Sequence, residues 1–156
     1  MNSPLPAADG RQSILELNRL IAVARRFNQE LEEVGERIMT HHGLTPPQRS
    51  LLLALRKLRT CTVPQLARRR EVSRQYVQVT MNALEQRGLV EFRANPEHKR
   101  SRLLVLTDRG EALLLAVMAR EGEVLQKVAA RLDSQEAKVA VRALELAGKG
   151  LAATEG

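Results

Sequence analysis

The sequence is poor in cysteine and in aromatic residues. It has one cysteine, no tryptophan, one tyrosine and two phenylalanines. A single cysteine excludes an internal disulfide framework and is typical of a reducing compartment. With so few aromatic residues, a buried core has to be built from leucine, valine and alanine, a composition that favours helices.

Long apolar runs are also missing. The longest stretch, residues 112–119, ends at Arg120, far short of the roughly 18 residues that a membrane-spanning helix needs. The first ten residues lack the basic and apolar regions of a secretory signal peptide. We therefore expect a cytoplasmic protein with no membrane segment. Its 156 residues suffice for one ordinary domain with a real core.

The net charge of +7 comes from the middle of the chain. Residues 44–107 carry 13 basic and 4 acidic side chains, whereas residues 1–43 and 108–156 each have a balance of −1. A basic block between near-neutral flanks indicates a polyanion partner, most often nucleic acid. On charge alone, a solvated basic surface without a partner explains the block equally well.

Residues 13–43 are predicted to form one long helix after a disordered tail, residues 1–12. Ser13 and Glu16 have the spacing of a capping box, and Gly43 is a natural stop. A helix this long outruns a small core, so we expect part of its apolar stripe to pack on a second copy. The stripe repeats every three or four residues, at Ile14, Leu17, Ile21, Ala24, Phe27, Leu31, Val34 and Ile38.

Three short helices are predicted to follow. The segments 45–48 and 62–65 each combine a threonine cap, an early proline and the glutamine half of a capping box. Ser73 caps the third helix, which runs to Gln86. Two short helices joined by a few residues, the second capped by serine, indicate a helix-turn-helix.

Strands are predicted at residues 89–94 and 102–106, separated by the turn-forming and charged residues 95–101. A hairpin directly after a helix-turn-helix is a wing. Residues 44–107 are therefore assigned to a winged helix-turn-helix DNA-binding domain.

Residues 108–150 are predicted to form two further dimerisation helices, capped by Thr107 and by a box that begins at Asp133, before a tail of residues 151–156. The predicted fold is mainly α-helical with a small β-hairpin wing: a winged helix-turn-helix domain flanked by long dimerisation helices.

The helix after Ser73 has an apolar and a polar face. At about 100° per residue, Val77, Met81 and Leu84 share the apolar face. Arginine can pair bidentately with guanine and glutamine with adenine, so the polar residues suit base edges in a major groove. The alternative is an exposed polar face with no partner. The candidate DNA-binding residues of this helix are Ser73, Arg74, Gln75, Tyr76, Gln78 and Asn82.

The predicted wing carries three basic residues, Lys99, Arg100 and Arg102. Such side chains can enter the narrow minor groove, where the potential is most negative. A basic hairpin tip alone is usually just solvated, but beside a polar helix DNA contact becomes the better interpretation.

Little in the sequence indicates catalysis, so we expect no enzyme activity. A glycine-rich phosphate loop, a nucleophile elbow and metal-ligand spacing are all absent, and neither metal nor cofactor is expected. His41 and His42 lie at a predicted helix C-terminus, where an imidazolium meets the helix dipole favourably. Cys61 would sense oxidants if neighbouring basic residues lowered its pKa, but a buried thiol is the simpler interpretation.

The order of these elements resembles the MarR family of bacterial transcriptional regulators, from about residue 11 to 150. Each matching segment alone is weak, whereas their order and spacing together are more specific. The segments are Leu44-Thr-Pro-Pro-Gln48, Thr62-Val-Pro-Gln-Leu-Ala67, Val72-Ser-Arg-Gln-Tyr-Val77, Leu84-Glu-Gln-Arg-Gly-Leu-Val90, Asn95-Pro-Glu-His-Lys-Arg-Ser101 and Leu106-Thr-Asp-Arg-Gly110.

The resemblance implies a homodimer, formed by the first, fifth and sixth helices, that binds a short palindromic operator. It implies repression relieved by a small phenolic or other ligand, or by an oxidant. By position, it places Arg74, Gln75, Tyr76 and Gln78 in the major groove and Arg100 in the minor groove.

The chain departs from the family pattern in the wing and in the first helix. The family commonly has aspartate at the positions of Asn95 and His98, and the second aspartate often orients a wing arginine. The cysteine of the peroxide-sensing branch is absent from the start of the first helix. The alternative function is a winged-helix module that docks a protein or binds polyanions without sequence preference.

Overall fold

The computed structural model describes residues 7–98 and 100–154. It confirms the predicted fold class, because helices make up most of these residues and the strands form one small antiparallel sheet. The elements in chain order are α1 (Ala7–His41), α2 (Pro46–Leu58), β1 (Thr60–Thr62), α3 (Val63–Arg70), α4 (Arg74–Gln86), β2 (Val90–Arg93), β3 (Leu103–Leu106), α5 (Asp108–Ala129) and α6 (Ser134–Thr154).

Reciprocal capping fixes the start of α2 and of α3. Thr45 Oγ1 accepts a hydrogen bond from Gln48 N at 3.3 Å, and Gln48 Oε1 accepts one from Thr45 N at 3.1 Å. Thr62 and Gln65 repeat the arrangement at 3.4 and 2.7 Å. Each pair satisfies two backbone donors that a helix end otherwise leaves unpaired, so both predicted capping boxes are confirmed.

The sheet has the strand order β1-β3-β2, with both pairings antiparallel. Leu104 is the central partner, facing Cys61 on one side and Phe92 on the other. Strand β1 was not predicted. Its three residues lie between two capped helices and are too few to show an alternating pattern.

Residues 35–123 form one unit, which includes the end of α1, the three short helices, the sheet and the first turns of α5. It is larger than the predicted domain of residues 44–107. The reason is that Ile38 and Met39 of α1 and Leu114 and Val117 of α5 are buried. The other fully buried side chains of this core include Leu52, Leu55, Leu66, Val77, Met81, Leu84, Leu89, Val90 and Leu104.

The second unit comprises the rest of α1, the end of α5 and α6. The prediction of a disordered tail over residues 1–12 is wrong for residues 7–12, because α1 already begins at Ala7. Alanine has the highest helix propensity, and no proline interrupts residues 7–45. Residues 1–6 lie outside the described residues.

The C-terminal tail prediction is corrected in the same way. Helix α6 continues through residues 151–154 to Thr154, and residues 155–156 lie outside the described residues. Asp133 Oδ1 accepts hydrogen bonds from the backbone N–H groups of Gln135 and Glu136, as expected for the helix start.

Large apolar side chains of this second unit are exposed in the single chain. Helix α6 buries none of its residues. Across residues 7–98 and 100–154, no helix has the length and hydropathy needed to cross a membrane. The exposed apolar residues include Ile14, Leu15, Leu17, Val23, Phe27 and Leu31 of α1, Leu125 and Val128 of α5, and Val139, Val141, Leu144, Leu146 and Leu151 of α6.

Candidate nucleic-acid interface

Helix α4 packs through one face against the rest of residues 35–123, which we call the winged unit. Val77, Met81 and Leu84 are fully buried, as predicted from their spacing. Ser73 caps the helix, because its Oγ accepts a hydrogen bond from Tyr76 N at 3.1 Å. Burial of one face fixes the rotation of the helix about its axis, and the opposite face is therefore presented to solvent.

The solvent face of α4 is polar and partly organised by its own side chains. Arg74, Gln75, Gln78 and Asn82 are all exposed. Gln78 Nε2 donates a hydrogen bond to Asn82 Oδ1 at 2.8 Å. The pair leaves the Gln78 carbonyl oxygen and the Asn82 amino group available, which supplies one acceptor and one donor on neighbouring turns.

Two less polar residues also lie on the exposed surface of α4. Tyr76 is 39% exposed and Val79 is 63% exposed. Val79 is not among the candidate residues predicted from the sequence. An apolar side chain on a base-reading face suits the methyl group of thymine.

A groove of about 430 Å³ brings the α4 candidates together with the wing. Helix α3 supplies one wall through Val63 and Pro64, and Phe92 of β2 supplies part of another. Ser73 and Tyr76 do not line this groove. The candidates that do are Arg74, Gln75, Gln78, Asn82, Arg100 and Arg102.

The loop of the wing folds on its own backbone. Asn95 Oδ1 accepts a hydrogen bond from Glu97 N at 3.0 Å, and the carbonyl of Asn95 accepts one from His98 N at 3.3 Å. An amide oxygen closes this turn as an aspartate oxygen would, so the first departure from the family pattern leaves the turn intact. His98 itself is exposed.

The predicted wing residues differ in their surroundings. Arg100 is exposed near the tip of the loop. Arg102 is bound to the base of the wing, since its Nη2 donates to the carbonyl of Phe92 at 2.5 Å and its guanidinium lies 4.9 Å from the centre of the Phe92 ring. Lys99 lies outside the described residues.

Glu85 and Phe92 were missed by the sequence analysis. Glu85 Oε1 lies 3.9 Å from Arg102 Nη2 and accepts a hydrogen bond from Phe92 N at 3.4 Å. Glu85, Phe92 and Arg102 belong to different parts of the winged unit and share no periodic pattern, so only the folded chain brings their side chains together. Charge and spacing alone gave no signal for them.

Cys61 has little chemical support as an oxidant sensor, and the pair of His41 and His42 has little as a metal site. Burial raises the pKa of the Cys61 thiol to about 11, which leaves it a poor nucleophile at neutral pH. The rings of His41 and His42 meet edge to face, with centres 5.4 Å apart. Within residues 7–98 and 100–154, no cluster of three histidine, cysteine or acidic side chains has the geometry to hold a metal.

Comparison with known proteins places this arrangement in a family. The MarR family model matches residues 42–101, which contain α2, β1, α3, α4, β2 and the loop of the wing. An uncharacterized protein of Mycobacterium tuberculosis is 39% identical over 118 residues, covering 76% of this chain and 82% of that one. The chain belongs to the MarR family. Like the other members of this family, it is a DNA-binding transcription regulator, and it is not an enzyme.

Other MarR-family relatives match over most of their length. The transcriptional repressor MdtR of Bacillus subtilis is 28% identical over 132 residues, covering 85% of this chain and 82% of MdtR. The crystal structure of a MarR family transcription regulator has a TM-score of 0.76 at 28% identity, covering 93% and 96% of the two chains.

A DNA complex is also among the structural relatives. Mutant MarR from E. coli, complexed with operator DNA, has a TM-score of 0.61 at 24% identity, covering 85% of this chain and 94% of that one. At this identity, the likeness shows a shared fold.

Proposed function

We propose that the protein is a homodimeric transcriptional repressor of a bacterial cytoplasm that binds a palindromic operator in double-stranded DNA. The observation that carries the proposal is the groove in which the exposed face of α4 meets Arg100 and Arg102 of the wing. The dimensions of a B-DNA major groove admit a helix such as α4, while a basic wing tip suits the adjacent minor groove.

The roles of the α4 residues follow from their chemistry. Arg74 and Gln75, in the first turn, read base edges together with Gln78. Tyr76 packs on a thymine methyl group or donates to a phosphate. Ser73 and Asn82 mark the two ends of this surface of α4, and Lys99, Arg100 and Arg102 give the wing its positive charge.

The exposed apolar side chains of α1, α5 and α6 support dimerisation through these helices. Exposed apolar surface on this scale is typical of an interface rather than of a monomer. A two-fold dimer presents two copies of α4, which must lie about 34 Å apart to enter successive major grooves.

The repressor role is supported by the resemblance to MdtR, which is named a transcriptional repressor. A small effector would relieve repression by binding more tightly to the dimer state in which the two α4 helices are wrongly spaced for DNA. Such a ligand changes the DNA affinity only to the extent that its own affinity differs between those two states.

Selection of duplex DNA from a randomised pool, at about 0.15 M salt, tests the proposal. We expect enrichment of a palindrome whose half-sites are centred about ten base pairs apart. Salt-sensitive binding without an enriched sequence would contradict it and would favour a polyanion-binding module. Binding to an acidic protein without operator binding would favour a docking module.

Gln75→Ala tests the assignment of a base-reading residue. Loss of its amide should weaken binding to the selected operator by about 1–3 kcal/mol and relax the preference at one base pair in each half-site. Arg100→Ala should instead weaken binding to all sequences by a similar factor. A base-substitution profile that is unchanged in Gln75→Ala would refute the assignment.

A further inference from the structure

Arg102 stands at the base of the wing, immediately before β3, and its guanidinium is already engaged. Nη2 donates a hydrogen bond to the carbonyl oxygen of Phe92 at 2.5 Å. The same guanidinium covers the Phe92 ring at 4.9 Å, a distance at which a cation is attracted by the face of the ring. The backbone carbonyl and the ring of Phe92 therefore both contact the Arg102 side chain.

Glu85 connects this cluster to α4. Its Oε1 lies 3.9 Å from Arg102 Nη2 and accepts the hydrogen bond from Phe92 N at 3.4 Å. Both backbone polar groups of Phe92 are thus bound by side chains, one from the helix and one from the residue that immediately precedes β3. The cluster of Glu85, Phe92 and Arg102 joins the helix that carries the base-reading residues to both strands of the wing.

We infer that Arg102 is a positioning residue that sets the angle of the wing against α4, and thereby presents Arg100, which the family resemblance already places in the minor groove. The inference rests on the proposed function. The Arg102 side chain is 59% exposed, but the Phe92 carbonyl and ring fix where its guanidinium lies at the base of the wing. Arg100 also has an exposed side chain that lines the groove.

The two roles predict different dependence on salt. A side chain that neutralises DNA charge displaces counterions, so its removal lowers the slope of log affinity against log salt by about one. A side chain that only positions the wing leaves this slope unchanged when it is removed. Arg100→Ala should therefore lower both the affinity and the slope, whereas Arg102→Ala should lower the affinity by about tenfold at an unchanged slope.

Glu85 provides a test in which the sign of the effect decides. Removal of an acidic side chain beside DNA normally strengthens binding, because it removes repulsion from the phosphates. Glu85→Ala should weaken binding if the cluster positions the wing. Glu97→Ala is the matched control, since Glu97 lies in the wing loop outside the cluster and its removal should strengthen binding.

Arg102→Lys separates charge from geometry. Lysine keeps the positive charge but lacks the planar fork that binds the Phe92 carbonyl while lying over the ring. Arg102→Lys should therefore bind DNA about as poorly as Arg102→Ala. Restoration of wild-type affinity by lysine would contradict the inference.

The experiment measures fluorescence anisotropy of the selected operator duplex at several salt concentrations for the full chain and these variants. Amide hydrogen exchange of the free proteins reports wing order without DNA. Arg102→Ala and Glu85→Ala should speed exchange across the wing strands, and Arg100→Ala should not. Unchanged exchange in Arg102→Ala, with a slope reduced as in Arg100→Ala, would overturn the inference.

The exchange measurement keeps the two proposals separate. If the wild-type protein selects no DNA sequence, the proposed operator function fails. Faster exchange in Arg102→Ala and Glu85→Ala would still support the positioning of the wing by the cluster. Thermal melting of each variant identifies any loss of overall folding, and slower or unchanged exchange in a folded variant counts against the inference.

Discussion

In residues 35–123 most leucine and valine side chains are buried within the chain, whereas in the flanking helical segments most of them are exposed. Helix α1 shows both conditions along a single stripe. Ile38, near its end, is 8% exposed, but Phe27 is 54% exposed and Ile14 is 60% exposed. The spacing of apolar residues predicts which face of a helix is buried, but it does not show whether the same chain or a second molecule covers that face.

The comparison separates two kinds of stability. The winged unit closes its core with residues of one chain, so its folding should depend little on protein concentration. The helices that carry exposed apolar stripes gain their burial only through association, and their order should depend on concentration if the proposed dimer forms.

The largest expected effect is on the winged unit. A Cβ at Gly110 would lie 2.0 Å from the carbonyl oxygen of Leu89, so Gly110→Ala should lower the free energy of unfolding by about 4 kcal/mol or prevent folding. The control is Gly122→Ala in the same helix, where a Cβ meets nothing within 4 Å. That change should stabilise by about 0.5–1 kcal/mol. Urea unfolding followed by circular dichroism measures the free energy of unfolding of the two variants. Equal changes in Gly110→Ala and Gly122→Ala would contradict the packing argument.

The next effect is on association. Phe27→Glu places a charge on the exposed stripe of α1 and should raise the dissociation constant of the proposed dimer by at least about a hundredfold. Gln29→Glu, about 160° around the helix from Phe27 and not three or four residues from any position of the stripe, should leave that constant nearly unchanged. Sedimentation velocity over a range of concentrations makes the comparison. A dimer that tolerates Phe27→Glu would show that this stripe is not the interface.

A smaller effect concerns the attachment of α5 to α2. Arg49 and Glu121 form an ion pair at 2.5 Å with about a quarter of each side chain exposed, whereas Arg56 and Glu111 pair at 2.6 Å and are more exposed. Glu121→Gln should cost about 1–2 kcal/mol of unfolding free energy, because the partly buried arginine loses its partner. Glu111→Gln should cost less than about 1 kcal/mol. Urea unfolding at one fixed protein concentration checks that Glu121→Gln lowers the free energy of unfolding more than Glu111→Gln does.

The smallest effect on function is expected at Cys61. Its folded pKa of about 11 exceeds the reference value of 9.0, so the thiolate fraction near pH 8 is lower by about a hundredfold than in the unfolded chain. Alkylation of the folded protein should be slower by at least that factor, and peroxide should leave DNA binding unchanged. The thiol favours the folded state below pH 9, and this contribution is lost as the pH rises toward 11. Rapid alkylation at pH 8 would contradict the assigned burial.

Local signals predicted the helix starts and the buried face of α4. Thr45, Thr62 and Ser73 act through partners three residues away, so their role is visible in the sequence. Val77, Met81 and Leu84 repeat with the helical period. The hairpin was found because its turn-forming loop lies between two apolar segments.

The remaining features depend on pairing between distant residues. Strand β1 exists because Cys61 pairs with Leu104, more than forty positions away. The engagement of Arg102 depends on Phe92 and on Glu85 of another element. The basic residues of the wing are therefore visible in the sequence, but the contact of Arg102 with Phe92 is not.

Strand β2 lies at the outer edge of the sheet, where a strand usually exposes a row of backbone donors and acceptors. Such an edge is a template for strand addition by another molecule, and hence for aggregation. At Phe92 both backbone groups are occupied, the N–H by Glu85 and the carbonyl by Arg102. The two side chains therefore also protect the sheet, since an incoming strand would have to displace a carboxylate and a guanidinium before it could pair there.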